Sequence, residues 1–293
     1  MNLLNDYLEE YGPGEDDRVV NFETQAHLAS IEPGFYSAGN LERIFGLLDL
    51  TTLNSDDNDG TARQFTSHLN GFPQAFPDIK GVAAICIYPS LVEEVRKTLT
   101  APGVKIAAVG AGFPSSQTFL SVKLAECELL VKKGADEIDV VISVGRFLAG
   151  EYRSVLNELV LIRETCTGVT LKVILETGLL KTAQNIRLAS LIAMEAGADF
   201  IKTSTGKYAV SATPEAVYAM CGAIRDFRTH TGRAVGIKPA GGIVEVEDAV
   251  IYYSLIYKLL GEEWTNPGRF RIGASRLANN LLTRLKGQDI KYF

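Results

Sequence analysis

Eight short apolar runs rich in β-branched residues, each followed by a longer amphipathic stretch, constrain the fold of this chain more than any other feature. The runs predict strands over Gly46 to Leu50, Gly81 to Ile87, Lys105 to Val109, Glu137 to Ile142, Leu171 to Leu175, Phe200 to Thr203, Val235 to Lys238 and Phe270 to Gly273. Stretches between them, such as LSVKLAECELLVKKG and TAQNIRLASLIAMEAG, repeat apolar positions at three and four residues, as helices do. In the first of these, Leu120, Leu124, Cys127 and Val131 mark one buried stripe. Gly134 and Gly197 stand where left-handed C-caps release the chain into the next strand. Alternation of this kind is the sign of βα units and a parallel sheet. Nothing resembles an edge strand blunted by Pro or charge, so a single (β/α)8 TIM barrel fits better than the alternative, a doubly wound open sheet.

Residues 1–40 break the pattern, and their Pro, Gly and acidic residues predict a short helix, a loop and a second helix. They are expected to form an N-terminal extension packed on a barrel of residues 41–293, which ends in a flexible C-terminal tail.

At 293 residues the chain has the length of one α/β barrel, and its hydrophobic share of 46% supplies a core without any membrane role. No apolar run is long enough to span a bilayer, and the first residues lack a signal-peptide pattern, so a cytoplasmic location is expected. A formal charge of -6 without a long basic run disfavours nucleic-acid partners. Cys86, Cys127, Cys166 and Cys221 are widely spaced and predict neither a zinc site nor a disulfide framework. Only His27, His68 and His230 are present, none in a strand-end motif, which leaves little for a Ser-His-Asp triad.

Ionisable residues inside apolar strands are the informative ones, because barrels carry their chemistry at the C-terminal strand ends. Asp49 lies in GLLDLTTL, Asp139 in DEIDVVI, Lys172 in TLKVILETG, Lys202 in DFIKTSTGK and Lys238 in AVGIKPAGG. A buried ion pair explains any one of them equally well. Three lysines and two aspartates converging on one lumen are harder to explain as structure alone. Two ammonium groups about 4 Å apart repel by roughly 4 kcal/mol at an effective dielectric near 20, which favours the neutral, nucleophilic amine on one of them. Asp139 is then a candidate to hold a water or shuttle protons. This constellation suits Schiff-base chemistry better than hydride or phosphoryl transfer.

Glycine-rich turns form the second signal. STGK at Ser204 to Lys207, PAGG at Pro239 to Gly242 and GAS at Gly273 to Ser275 follow the sixth, seventh and eighth strands. Barrels commonly bind phosphate on loops after strands seven and eight, where backbone N–H groups approach the oxygens. A phosphorylated small molecule is the expected ligand, although tight turns alone also favour glycine.

LLDLTTLN, AAICIYP, GADEIDVVI, LKVILETG, FIKTSTGK, GIKPAGGI and RIGAS occur in this order, and with these motifs the chain resembles the deoxyribose-phosphate aldolase family from about Gly46 to Ser275. The resemblance implies a class I aldolase, an aldehyde-lyase that cleaves 2-deoxy-D-ribose 5-phosphate reversibly to acetaldehyde and D-glyceraldehyde 3-phosphate. No metal or organic cofactor is implied. By the same match Lys202 is the Schiff-base lysine, Lys238 the neighbour that perturbs it and Asp139 the proton-relay acid. Asp49, Thr51 and Lys172 belong to the polar pocket around the sugar, and the phosphate rests on Gly206, Lys207, Gly241, Gly242, Gly273 and Ser275. The resemblance places such an enzyme in deoxyribonucleotide catabolism, with phosphosugar and aldehydes as its small-molecule partners, no membrane partner and a possible homo-oligomer.

Val244 stands where family members often carry arginine, whereas Arg276 replaces the second serine of GASS. Arg276 is therefore expected to supply the missing positive charge, with a plain helix-surface arginine as the other reading. Tyr292 precedes Phe293, where some members end in a tyrosine that reaches the active site. Two alternatives remain open from sequence. One is another Schiff-base barrel aldolase of phosphorylated keto sugars, and the other is a noncatalytic phosphosugar-binding barrel, which has no need of Lys202 and Lys238 together.

Overall fold

Eight parallel strands close into a ring in the computed structural model, which describes residues 3–293. Three helices come first: α1 (Leu3–Tyr11), α2 (Asp17–Leu28) and α3 (Ala38–Phe45). The barrel follows as β1 (Leu48–Thr51), α4 (Asp59–Ala75), β2 (Ala84–Ile87), α5 (Val92–Thr98), β3 (Lys105–Gly110), α6 (Leu120–Lys133) and β4 (Glu137–Val141). Next come α7 (Val144–Leu148), α8 (Tyr152–Thr165), β5 (Thr170–Ile174), α9 (Thr177–Leu180), α10 (Ala183–Glu195), β6 (Phe200–Lys202) and α11 (Pro214–Thr231). β7 (Gly236–Lys238), α12 (Val246–Leu260), β8 (Ile272–Ala274) and α13 (Leu277–Lys286) complete the chain.

Neighbouring strands pair in sequence order, and β8 pairs β1. Parallel bridges Ile237↔Phe270 and Ala240↔Gly273 join β7 to the last strand, so the open-sheet alternative does not hold. The predicted strands start up to three residues early. Gly46 caps α3 rather than opening β1, and Gly81 and Phe270 lie outside strands.

Alternation along each strand separates two environments. Leu48, Leu50, Ile138, Val140, Leu171, Val173, Ile201, Ile237 and Ile272 point outward into the layer between strands and helices, where all are fully buried. Each contributes about 2 kcal/mol by leaving water. Inward-facing residues carry the charges, a set that burial alone leaves near break-even for stability.

Local signals stop and start the helices much as expected. Gly134 takes φ 92° after α6 and Gly197 takes φ 96° after α10. The side chains of Asn58, Thr182 and Thr213 cap α4, α10 and α11, with Pro214 in the first turn of α11. The stripe predicted on α6 is corrected. Lys123, Cys127 and Leu130 are its buried residues, while Leu120, Leu124 and Val131 are only half-buried. A lysine can occupy that face because its Nζ reaches Glu158 Oε1 at 2.8 Å, Ser116 Oγ at 2.7 Å and Ser143 Oγ at 3.0 Å.

α1 contacts α8, α10 and α11, and α2 contacts α10 and α11. Asp17 accepts from Ala183 N–H at 2.6 Å, tying the start of α2 to that of α10. α3 packs against α12 and α13. At the other end, Tyr292 Oη donates to His68 O at 2.8 Å and Asn279 Oδ1 accepts from the backbone of Tyr292 and Phe293. The tail expected to be flexible is thus docked on α4, among Phe72 and Phe76. No helix among the described residues is long and apolar enough to cross a membrane.

Candidate active site

Strand register brings the charged residues together. Asp139 of β4 pairs with Lys172 of β5, and Lys202 of β6 pairs with Lys238 of β7, so the two lysines of the FIKTS and GIKPAGG motifs are direct neighbours. Asp49 of β1 pairs with Gly273 of β8.

Asp139 sits at the centre. Its Oδ2 accepts from Lys202 Nζ at 2.9 Å and from Lys238 Nζ at 2.8 Å, and its Oδ1 accepts from Lys172 Nζ at 2.9 Å. The simple repulsion of two ammonium groups does not describe this site, because one carboxylate oxygen lies between them. Lys238 also meets Asp49 Oδ2 at 2.5 Å, and Lys172 meets Glu137 Oε2 at 2.5 Å. Below them Arg271 bridges Asp49 Oδ1 at 2.6 Å and Glu137 Oε1 at 2.7 Å.

Burial alone would raise the Asp139 carboxyl, but Lys172, Lys202 and Lys238 outweigh it and hold it well below the usual carboxylate range. Asp49 is likewise low, as Lys238, Arg271 and Lys172 overcome its burial. Burial works against the charge on Lys238, yet Asp139 and Asp49 raise it above the ordinary lysine value. Lys172 is raised by Asp139, Glu137 and Asp49 against the same penalty. In formal charges the lumen holds four cations (Lys172, Lys202, Lys238, Arg271) against three carboxylates (Asp49, Glu137, Asp139). Lys202 is ion-paired to one carboxylate only, and among the four cations it alone lines the cleft above.

That cleft has a volume of about 520 Å³ and lies over the C-terminal ends of β1, β6, β7 and β8. Thr51, Lys202, Gly206, Lys207, Gly241, Gly242, Gly273, Ser275 and Arg276 line it, whereas Asp49, Asp139, Lys172 and Lys238 lie beneath its floor. Thr51 donates to its own strand, at Asp49 O, 2.8 Å away. Lys207 bonds Leu53 O across the opening. The loops after β6 and β7 approach so closely that a Cβ on Gly241 would lie 2.6 Å from Ser211 Oγ and 3.0 Å from Gly206 Cα. With φ 85°, that position requires glycine on two counts. Arg276 is exposed on the rim, one residue before α13, and Val244 lines the same wall.

Opposite the glycine loops the lumen is apolar. Cys86 is fully buried there with Leu53, Ala84, Ala107 and Val109, beside Tyr88 and Phe113, and burial pushes its thiol up. Among the described residues no group of three or more His, Cys, Asp or Glu has the geometry to hold a metal ion.

Four residues at the site escaped the sequence reading. Arg271 and Glu137 meet the criterion applied to the lysines, charge at alternate positions of an apolar strand, and were legible on it. Glu176, buried behind the β6 loop, carries no local signal, and in the docked tail Phe293 rather than Tyr292 lines the cleft.

Residues 45–253 match the model of the DeoC/LacD family aldolases. The deoxyribose-phosphate aldolases of Homo sapiens and Mus musculus are each 41% identical to this chain, over 84% of it and 80% of their own length. Among solved structures, the aldolase QR15 superposes with a TM-score of 0.67 at 28% identity, covering 83% of this chain and 96% of that one. A tetrameric deoxyribose phosphate aldolase from Aeropyrum pernix gives 0.65 at 24% identity, over 92% and 98%, a likeness of fold alone.

Proposed function

The chain belongs to the DeoC/LacD aldolase family, and from that premise we propose that it cleaves 2-deoxy-D-ribose 5-phosphate reversibly to acetaldehyde and D-glyceraldehyde 3-phosphate, with Lys202 as the Schiff-base lysine. The observation that carries this reading is Lys202 itself: a lysine paired with a single carboxylate, beside Lys238, at the floor of a cleft lined by glycine turns.

In this mechanism the Lys202 amine adds to C1 of the open-chain sugar, and the carbinolamine takes up one proton, given back when the imine is later hydrolysed, and loses water to leave a protonated imine. A base removes the C3 hydroxyl proton, the C2–C3 bond breaks, and its electron pair flows into the imine nitrogen. C3 departs as the aldehyde of glyceraldehyde 3-phosphate. The remaining enamine is protonated on carbon, and water hydrolyses the imine to acetaldehyde and free Lys202. Asp139 is the group we assign to these transfers. Once Lys202 is neutral, Oδ2 keeps Lys238 as its charged partner and is free to accept from the carbinolamine. Lys238 and Lys172 keep Asp139 ionised, and Asp49 holds Lys238 in turn.

The phosphate end is assigned to Gly206, Lys207, Gly241, Gly242, Gly273 and Ser275, with Arg276 as the added cation and Thr51 toward the sugar. Self-association is part of the same reading, supported by the tetrameric relative, as is a role in deoxyribonucleotide catabolism in the cytoplasm. Borohydride reduction in the presence of deoxyribose 5-phosphate, followed by peptide mass spectrometry, is the test. A reduced adduct is expected on Lys202 with acetaldehyde as a product; active protein with Lys202 unmodified sinks the mechanism, and cleavage without acetaldehyde points to a different Schiff-base substrate.

A further inference from the structure

Glu176 follows β5 with φ 58° and ψ 59°, a left-handed backbone that a glutamate rarely adopts, and it is 1% exposed. Its Oε2 accepts from Thr205 N–H at 3.2 Å and from the Thr205 hydroxyl at 2.6 Å. Thr205 Oγ1 in turn accepts from Lys207 N–H at 3.1 Å. Thr205, Gly206 and Lys207 all line the cleft, whereas Glu176 does not. Its Oε1 is buried without a partner, as are Oγ1 of Thr177, the next residue, and Oγ of Ser204, which precedes Thr205. One step further, Thr203 N–H donates to Lys238 O at 3.1 Å and Thr203 Oγ1 accepts from Ala240 N–H at 3.0 Å, which ties the β6 loop to the β7 loop.

A strained backbone, a buried carboxyl and an unpaired oxygen are each unfavourable, and glycine at this position would remove all three. What glycine would lose is the clamp on Thr205. Resting on the reading of the cleft as a phosphorylated-sugar site, we propose that Glu176 is a positioning residue that fixes the β6 loop for the phosphate and so sets the preference for phosphorylated over unphosphorylated substrate. Burial pushes the Glu176 carboxyl up, against the pull of its two Thr205 hydrogen bonds and of Lys202.

The experiment compares wild type, Glu176→Gly and Glu176→Gln on 2-deoxyribose 5-phosphate and on unphosphorylated 2-deoxyribose, with melting curves for each protein. Glycine suits the left-handed backbone, so Glu176→Gly is expected to fold. It should raise KM for the phosphorylated sugar about tenfold, the equivalent of roughly one well-made hydrogen bond, with a smaller change in kcat. Activity on 2-deoxyribose should change much less. Glu176→Gln keeps an acceptor for both Thr205 bonds and should recover most of the lost affinity. Should Glu176→Gly melt early, Thr205→Val is expected to give the same split. Equal losses on both sugars, a loss confined to kcat, or an unaltered KM overturns the proposal. Wild-type protein inactive on both sugars instead overturns the aldolase reading, and this inference with it.

Discussion

Lys202 differs from Lys172 and Lys238 in what surrounds it: the latter two each face more than one carboxylate, while Lys202 faces Asp139 and the open cleft. The charged residues were legible because an ionic group inside an apolar strand is conspicuous and strand alternation says which way it points. The position of Asp139 between three lysines was not, since three strands contribute its partners and only the register reveals them. At the phosphate end the contrast is between Val244 and Arg276, which line the same wall. If Arg276 replaces the charge absent at Val244, Arg276→Ala raises KM for the phosphorylated sugar about tenfold, at the low end for a hydrogen bond to a charged group because the side chain is exposed. Steady-state kinetics check it, and an unchanged KM makes Arg276 an ordinary helix-surface residue.

Among the elements, eight strands and their order of use followed from periodicity, and the errors lie at their ends. β6, β7 and β8 are three residues each, since the barrel needs only a short hydrogen-bonded waist and the chain then turns into the functional loops. α7 and α9, of five and four residues, are too short for a 3.6-residue period to register. α6 shows a different failure. Its buried face includes Lys123, which no apolar pattern finds, because Glu158 on α8 makes that burial tolerable. Breaking such a pair strands a buried charge. Glu158→Ala should therefore destabilise the fold by about 3 kcal/mol, and the double variant Lys123→Met with Glu158→Leu should recover much of it. Urea unfolding of the three proteins measures both effects; a single variant as stable as wild type shows that the pair does not link α6 to α8 energetically.

For the molecule as a whole, the lumen couples stability to pH through groups on five strands or their flanks. Asp49 and Asp139 are held below the ordinary aspartate value of about 3.9 when folded, so the unfolded chain binds their protons first as acid is added. Their contribution is fully present above the unfolded value and is lost as pH falls toward the folded ones. Lys172, Lys238 and Arg271 shift upward, so their contribution is complete below the ordinary lysine value of about 10.4 and declines only in stronger alkali. Within roughly pH 5 to 10 neither set of groups changes its contribution. The outward Ile, Leu and Val layer is indifferent to protons and sets the level in that range. Denaturant unfolding should thus show little pH dependence from these five groups between about pH 6 and 9 and a steep loss below about pH 4. The slope there corresponds to more than one proton taken up on unfolding, with one of those protons removed in Asp139→Asn. An acid slope that is the same in wild type and Asp139→Asn would mean that the three ammonium groups around Asp139 do not hold its proton off in the folded protein, and Asp139 would lose its standing as an ionised proton acceptor beside Lys202.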